Sequence, residues 1–394
     1  SYEGAGERTA SPMAIYKSAY GSSGEESAFT VSILRSVGIP ARQVSVPRWS
    51  HCDDNHAWVE VWFEGNWHFL GPCEPEETLD KEGVLNPSSR AMLVHSRWFM
   101  SELPEGEEII SREGKTTYLN QLSRYAKTKT ITIKVVNRYI QPEPYVNVDI
   151  EVLNHSELFP VASMVTDING EIKLTVGLGT LHLHFNRGPY QIDKIIDSRE
   201  KELFQFKLFN NIPYDKWISY DVITPVDDLV EVHQPRPEQK EVGEKKVKED
   251  TDSDLSKMNT LYSDKEKEEI KEMLQLSRDN TKEIIEFLKR PVEKEDLKIK
   301  LLKTLEKKDY RDIKEEVLRE HLNYSLPYEK EYEEDIFISY LLNPRVHTEA
   351  ITKYRQFIED SYPESVKETF RKEPELIWQD IRERVIERPD LENN

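Results

Sequence analysis

The stretch Gly21-Ser22-Ser23-Gly24-Glu25-Glu26-Ser27, followed by Leu34-Arg35-Ser36-Val37-Gly38-Ile39-Pro40-Ala41-Arg42 and then Asp54-Asn55-His56-Ala57-Trp58-Val59-Glu60-Val61, decides how this chain is read. Ser22 or Ser23 suits a helix N-cap, and the acidic pair Glu25 and Glu26 suits the positive end of the helix dipole. Ala28, Val31, Leu34 and Val37 then fall on one face at helical spacing. Gly38 ends that helix and Pro40 prevents its restart. Beyond it Ala41 to Val46 reads as a strand, and Ala57, Val59, Val61 and Phe63 alternate as one face of another. Glu64-Gly65 makes a tight hairpin into Trp67-His68-Phe69-Leu70. A nucleophile at such a helix N-terminus gains from the dipole and from free backbone N–H groups, and a histidine on the facing strand is the natural base.

This segment resembles the core of the transglutaminase-like superfamily, the papain-type thiol enzymes that include peptide:N-glycanases and many bacterial peptidases. There the pattern is Gly-x-Cys-Gly-Glu, an arginine-bearing helix ending in Gly-Ile-Pro-Ala-Arg, and a histidine in His-Ala-Trp or His-Val-Trp. The resemblance places Ser23 at the nucleophile position and His56 at the base. A serine hydroxyl is far less acidic than a thiol, so a helix dipole that activates cysteine leaves serine protonated. The plain alternative for Ser23 is a cap, since Ser22-x-x-Glu25 and Ser23-x-x-Glu26 both fit a capping box; for His56 it is a surface position at a strand end.

The family also carries an aspartate in Trp-x-x-x-Asp-Pro, continued in the glycanases as Asp-Pro-Cys-Glu. Here the chain reads Trp67-His68-Phe69-Leu70-Gly71-Pro72-Cys73-Glu74, with Gly71 in the aspartate's place. A turn centred on Glu64-Gly65 sets Cys73 opposite His56 and position 71 diagonal to it, with Glu74 pointing away. Glu74 after a bulge at Pro72 is the best available orienter. Without one, His56 lacks a group to fix its tautomer.

Other constellations give way to plainer readings. A zinc site in His51-Cys52-Asp53-Asp54-Asn55-His56 needs several adjacent residues to converge from one loop. Cys73 as a displaced nucleophile lacks a helix terminus to lower its pKa, and the hairpin register keeps Cys52 and Cys73 too far apart to bridge, so both are expected as free thiols. No metal or other cofactor is expected.

The chain has 394 residues with 37% hydrophobic and 10% aromatic, enough for two to four domains with real cores. A formal charge of −20 argues against nucleic acid and anionic membrane surfaces as partners. No apolar run is long enough to insert in a membrane, and residues 1 to 20 contain no signal-peptide core. Two cysteines exclude a disulfide scaffold. Localisation stays open, leaning to a bacterial extracytoplasmic setting.

The character of the sequence changes twice. Up to about residue 125 it is mixed α/β, with a further strand expected at Arg90-Ala91-Met92-Leu93-Val94. From Thr130, Ile131/Ile133/Val135, Val146/Val148/Ile150/Val152, Ile172/Leu174/Val176, Leu181/Leu183/Phe185 and Phe204/Phe206/Leu208 alternate with polar residues, which predicts a β-sandwich of about 100 residues. With its Asp167-Ile168-Asn169-Gly170-Glu171 hairpin it looks like the transthyretin-like and carboxypeptidase-regulatory modules of bacterial surface proteins, or an immunoglobulin-like sandwich. A hairpin turn explains Asp167 and Asn169 better than calcium does, because the ligand count is too small. A Lys/Glu-rich run with prolines then reads as a linker. Helical patterns follow at 263–276, 280–288, 295–305, 309–322, 346–360 and 374–386, the core faces of a small bundle.

The expected architecture is multidomain α+β: a transglutaminase-like (papain-type) core at 1–125, a β-sandwich at 126–230, a charged linker at 231–257 and an α-helical domain at 258–394. Both ends look cut, as in a piece of a longer protein. Two functions are open. One is a peptidase, deamidase or transamidase using position 23, His56 and Glu74, its serine either a working variant or an introduced replacement for cysteine. The other is a non-catalytic descendant that keeps the groove for a peptide or glycopeptide ligand. With two of three triad positions changed, the chain as written favours the second.

Overall fold

In a computed structural model of the chain, the residues described are 9–18, 21–72, 77–81, 84, 87–100, 103, 106–208, 219–226 and 262–381. Cys73, Glu74 and the expected linker at 231–257 lie outside them. A short helix α1 (Pro12–Ser18) precedes α2 (Ser23–Ser36), the helix expected from the sequence. At its end Gly38 takes φ +87°, and a Cβ there would meet the Tyr328 ring at 2.2 Å, so both backbone and space require glycine.

The chain then enters a six-stranded sheet of β1 (Ala41–Val46), β2 (His56–Phe63), β3 (Asn66–Leu70), β4 (His95–Trp98), β5 (Ile109–Glu113) and β6 (Thr116–Asn120), in the order β3-β2-β1-β4-β6-β5. The β2–β3 hairpin turns on Glu64 and Gly65, both at positive φ, with Phe63 opposite Asn66, as expected. Alternation divides β1 and β2 between two cores. Ala41, Val59 and Val61 join Ala28, Val31 and Leu34 of α2, whereas Val44, Val46 and Trp58 pack on the other face with Leu122 and Tyr125. The strand expected at 90–94 is displaced to β4. Its backbone is used elsewhere, since Met92 O accepts from Gly177 N–H at 3.1 Å and Met92 and Leu93 join the next core.

That core lies between a three-stranded sheet, β10-β7-β13, and a four-stranded sheet, β12-β11-β8-β9. The strands are β7 (Thr128–Val136), β8 (Asn147–Asn154), β9 (Glu157–Val165), β10 (Glu171–Gly177), β11 (Thr180–Arg187), β12 (Tyr190–Asp197) and β13 (Leu203–Lys207), with β13 parallel to β7. Strand β9 escapes pattern reading because a register shift between Ile150 and Glu151 breaks its alternation, leaving both Val161 and Ala162 buried. The Asp167 turn is built as a hairpin, its carboxylate accepting from Asn169 N–H and Glu171 N–H.

The C-terminal helices are α3 (Asp264–Ser277), α4 (Thr281–Lys289), α5 (Asp296–Lys303), α6 (Glu315–Ser325), α7 (Glu334–Phe337), α8 (Arg355–Ser361), α9 (Glu364–Lys372) and α10 (Leu376–Ile381). The helix expected at 309–322 splits because the Asp309 carboxylate accepts from Glu306 N–H and pairs with buried Arg345. The one expected at 346–360 shrinks to α8, since Glu349 accepts from Val346 N–H and His347 N–H and holds that segment open. Helices α7 and α9 were not expected; a π turn, Ile338–Leu342, extends α7.

These helices are not an appendage. Val346, Tyr354, Ile358, Phe370 and Ile377 share one hydrophobic cluster with α2, β1 and β2. The buried Arg35 guanidinium donates to Ala41 O at 2.7 and 2.9 Å and to Asn343 O and Arg345 O at 2.8 and 3.0 Å. Burial without a carboxylate partner pushes that group down to about 10. On the other face Arg42 Nε pairs with Glu60 Oε2 at 2.6 Å, Arg124 Nε stands 2.9 Å from Glu60 Oε1, and Tyr125 Oη donates to the same oxygen at 2.5 Å. Arg42 also donates to Tyr340 Oη on the π turn and lies 4.1 Å from the centre of the Trp67 ring. Burial pushes the Glu60 carboxyl up, but Arg124 and Arg42 outweigh it and hold it below its ordinary value.

Two stability measurements follow. Glu60→Ala strands two buried guanidinium groups and should lower the unfolding free energy at pH 7 by about 3–5 kcal/mol in urea titrations. Because Glu60 is lowered in the fold, its contribution is full at neutral pH and fades as pH falls through the folded value, so the deficit should shrink on acidification; a constant deficit would refute the ion pair as its source. At the outer edge of the sheet His68 Nδ1 lies 2.6 Å from Asp80 Oδ2, and Phe69 N–H donates to Asp80 Oδ1 at 2.8 Å. The Asp80 hydrogen bond raises the His68 imidazole against its partial burial. That pair therefore stabilises fully below about pH 6.5 and loses its effect as pH rises through the folded value. In proton NMR titrations Asp80→Asn should bring His68 back toward about 6.5; an unchanged titration would remove the pair.

Candidate active site

The helix start is settled by one serine of the two. Ser22 N–H and Ser22 Oγ–H donate to Glu25 Oε2 at 3.0 and 3.2 Å, and the Ser22 backbone bond leads the causes that lower the Glu25 carboxyl. Glu25 Oε1 also accepts from Ala10 N–H at 3.1 Å. Capping thus falls to Ser22, and Ser23 is the first helical residue, half-buried, its carbonyl accepting from Ser27 Oγ at 2.7 Å. Position 23 is where a side chain meets the free N–H groups of the first turn without being consumed as their cap.

The floor beneath that turn is polar. Gln43 Nε2 donates to Gly24 O at 2.7 Å and Ser27 Oγ at 2.8 Å, while Gln43 Oε1 accepts from Arg97 Nη1 at 2.7 Å. Arg97 Nη2 reaches His347 Nε2 at 3.1 Å. Burial, with Arg97 next, holds the His347 imidazole well below its ordinary value, so it accepts this bond as the neutral base. Sequence reading missed Gln43, Arg97 and His347. The inward side of β1 signals Gln43, but nothing local links positions 97 and 347 to it.

His56 begins β2 opposite Val46, three positions along β1 from Gln43, or about 10 Å. Helix α2 runs antiparallel to β1, its end held at Ala41 and its first turn over Gln43, so Ser23 and His56 lie at the same end of the sheet. The His56 ring shares the Trp58 side, centroids 6.1 Å apart, which is the face away from the apolar stripe of α2. The loop leading to His56 is held by the sandwich. Asn154 Nδ2 donates to Trp49 O at 3.0 Å and Cys52 O at 2.9 Å, and His155 N–H donates to Asp53 Oδ1 at 2.6 Å. Partial burial, then Asp54, pushes the exposed free thiol of Cys52 up. Among the described residues no group of three His, Cys, Asp or Glu is placed to hold a metal ion, so the zinc alternative at 51–56 has no support there.

At the family's aspartate position the chain has Gly71, which carries no carboxylate. The ladder places Val59 opposite Leu70, which sets Gly71 level with Trp58 on the His56 side, and position 71 is buried. Asp80, the next described aspartate, is bonded to His68 and to the β3 backbone instead. Glu74 lies outside the described residues. No described helix is long and apolar enough to cross a membrane.

Comparison with known proteins bears on residues 1–72, which match the model of the Transglutaminase-like superfamily. No curated protein matches the chain. Among solved structures, catechol 1,2-dioxygenase from Acinetobacter sp. ADP1 is similar at 11% identity over 24% of this chain and 57% of that one, with a TM-score of 0.18. A 3-chlorocatechol 1,2-dioxygenase from Rhodococcus opacus 1CP is similar at 12% over 32% and 75%, TM-score 0.18. A streptococcal ancillary pilin is similar at 12% over 46% and 64%, TM-score 0.20. Likenesses of that size carry no argument about fold or activity. The helix, the Gly-Ile-Pro-Ala-Arg turn and the His-Ala-Trp strand all lie within residues 1–72, the stretch that is similar to the transglutaminase-like superfamily.

Proposed function

We propose that this protein, as written, is a non-catalytic transglutaminase-like protein that binds a peptide or glycopeptide at the α2 N-terminus, within a family acting on amide bonds. The division expected from the sequence, core 1–125, sandwich 126–230, linker 231–257 and helical part 258–394, belongs to the same proposal. One observation carries the reading: the first helical position holds Ser23, while the aspartate position holds Gly71 and Asp80 is bonded to His68. A hydroxyl at a helix N-terminus stays protonated without a strong base, and glycine at position 71 cannot supply the carboxylate that the resemblance places there. The backbone N–H groups at the start of α2 still present donors to a peptide carbonyl.

The alternative is an active thiol amidohydrolase, peptidase or transamidase when residue 23 is cysteine, with His56 as base and Glu74 as orienter. Its support is that Ser22 does the capping, which leaves position 23 free for a nucleophile. Alkylation of the Ser23→Cys variant by iodoacetamide, followed by peptide mapping, tests the site with Cys52 as internal control. The introduced thiol should react faster than Cys52 at pH 7, with an apparent pKa below about 8.5, and His56→Ala should slow it. A rate no greater than that of Cys52 would overturn a preformed site. Turnover of peptide amides by the unsubstituted chain would overturn the non-catalytic reading.

A further inference from the structure

Strand order brings Gln43 of β1 level with Arg97 of β4, one step along the ladder from the Val44–Ser96 pair and under the first turn of α2. Both hydrogens of the buried Gln43 amide enter that turn. One goes to Gly24 O and the other to Ser27 Oγ, whose own hydroxyl donates to Ser23 O. A peptide unit is planar, so holding the Ser23 and Gly24 carbonyls also holds the planes that carry Gly24 N–H and Glu25 N–H. The other end of the amide is fixed as well, since its Oε1 accepts from Arg97 Nη1 at 2.7 Å. Among the described residues the partners of Arg97 are neutral: Gln43, the Tyr118 ring with its centre at 5.5 Å, and His347 Nε2 at 3.1 Å. With Nε2 accepting, the His347 proton sits on Nδ1, which donates to Thr348 Oγ1 at 2.9 Å.

We propose that Gln43, clamped by Arg97 and His347, is a positioning residue for the group that meets the α2 N-terminus at position 23. It acts through the helix: it orients the peptide planes of the first turn and turns the positive NH2 end of its amide toward them, with the Arg97 charge behind it. An electron-rich partner at that turn, a peptide carbonyl oxygen or a thiolate, is favoured by both. Residues 345–349 thereby take part in building a site that lies three hundred residues earlier in the chain, because His347 is the acceptor that holds Arg97 in place. The inference rests on the reading of the α2 N-terminus as the site, which the catalytic and the non-catalytic alternatives share.

Iodoacetamide alkylation across pH, read by peptide mapping in the full chain carrying Ser23→Cys, tests it with Cys52 as internal control. Gln43→Glu keeps an oxygen for Arg97 but replaces the donor beneath the turn by a carboxylate oxygen. It should keep the parent Tm, slow the introduced thiol about tenfold at pH 7 with a rise of about one in its apparent pKa, and leave Cys52 unchanged. His347→Leu, which removes the acceptor for Arg97, should slow the thiol about threefold or more, and His347→Gln, which restores an acceptor oxygen, should recover most of the loss. An activated thiol that reacts equally fast with Gln or Glu at position 43 overturns the inference and leaves the site reading standing. Equal slowing by Leu and Gln at position 347 overturns the part of His347. A thiol no faster than Cys52 before either position is changed fails the site reading itself, and this inference with it.

Discussion

The Arg42–Glu60 pair is the constraint around which the rest is arranged. Two neighbouring strands bury opposite charges directly across from one another, and neither is tolerable alone in that environment. Satisfying them recruits Arg124 and Tyr125 from the turn after β6, Gln121 beside them, and Tyr340 from the π turn of the C-terminal segment. Trp67 covers the guanidinium from the hairpin. Elements more than two hundred residues apart are thereby tied to one ion pair, and the strand that begins with His56 is fixed along its middle.

Arg35 does the complementary work on the other face. It has only carbonyls as partners, drawn from β1 and from the stretch after the π turn, so it closes the end of α2 against the C-terminal helices. Gly38 reinforces that closure by letting the Tyr328 ring approach where any Cβ would collide. The end of α2 opposite to Ser23 is therefore rigid.

The elements of residues 21–72 were legible because their signals are local: a cap, a helical stripe, a glycine stop and a two-residue hairpin. Even the register that levels position 71 with Trp58 followed from Glu64-Gly65 alone. The sandwich was legible where alternation was clean, and β9 was lost to a bulge. Beyond residue 300, backbone segments read as helices at 309–312 and 346–354 are held open by Asp309 and Glu349, whose partners lie elsewhere in the chain. The same physics hid Arg97 and His347: their relation to Gln43 depends on strand order and on a helical segment folding back. Choosing between Ser22 and Ser23 as cap was not possible from spacing, because both have a glutamate three residues on.

The turn joining β8 to β9 places His155 and Ser156 at positive φ and points Asn154 at the carbonyls of the 49–54 loop. Exchanging this sandwich for another by recombination would release the segment that delivers His56, unless the incoming domain carried a left-handed turn with an amide in the same place. The sandwich and the histidine strand are in that sense one structural unit, and a chain that exchanges the sandwich has to keep this junction or rebuild it.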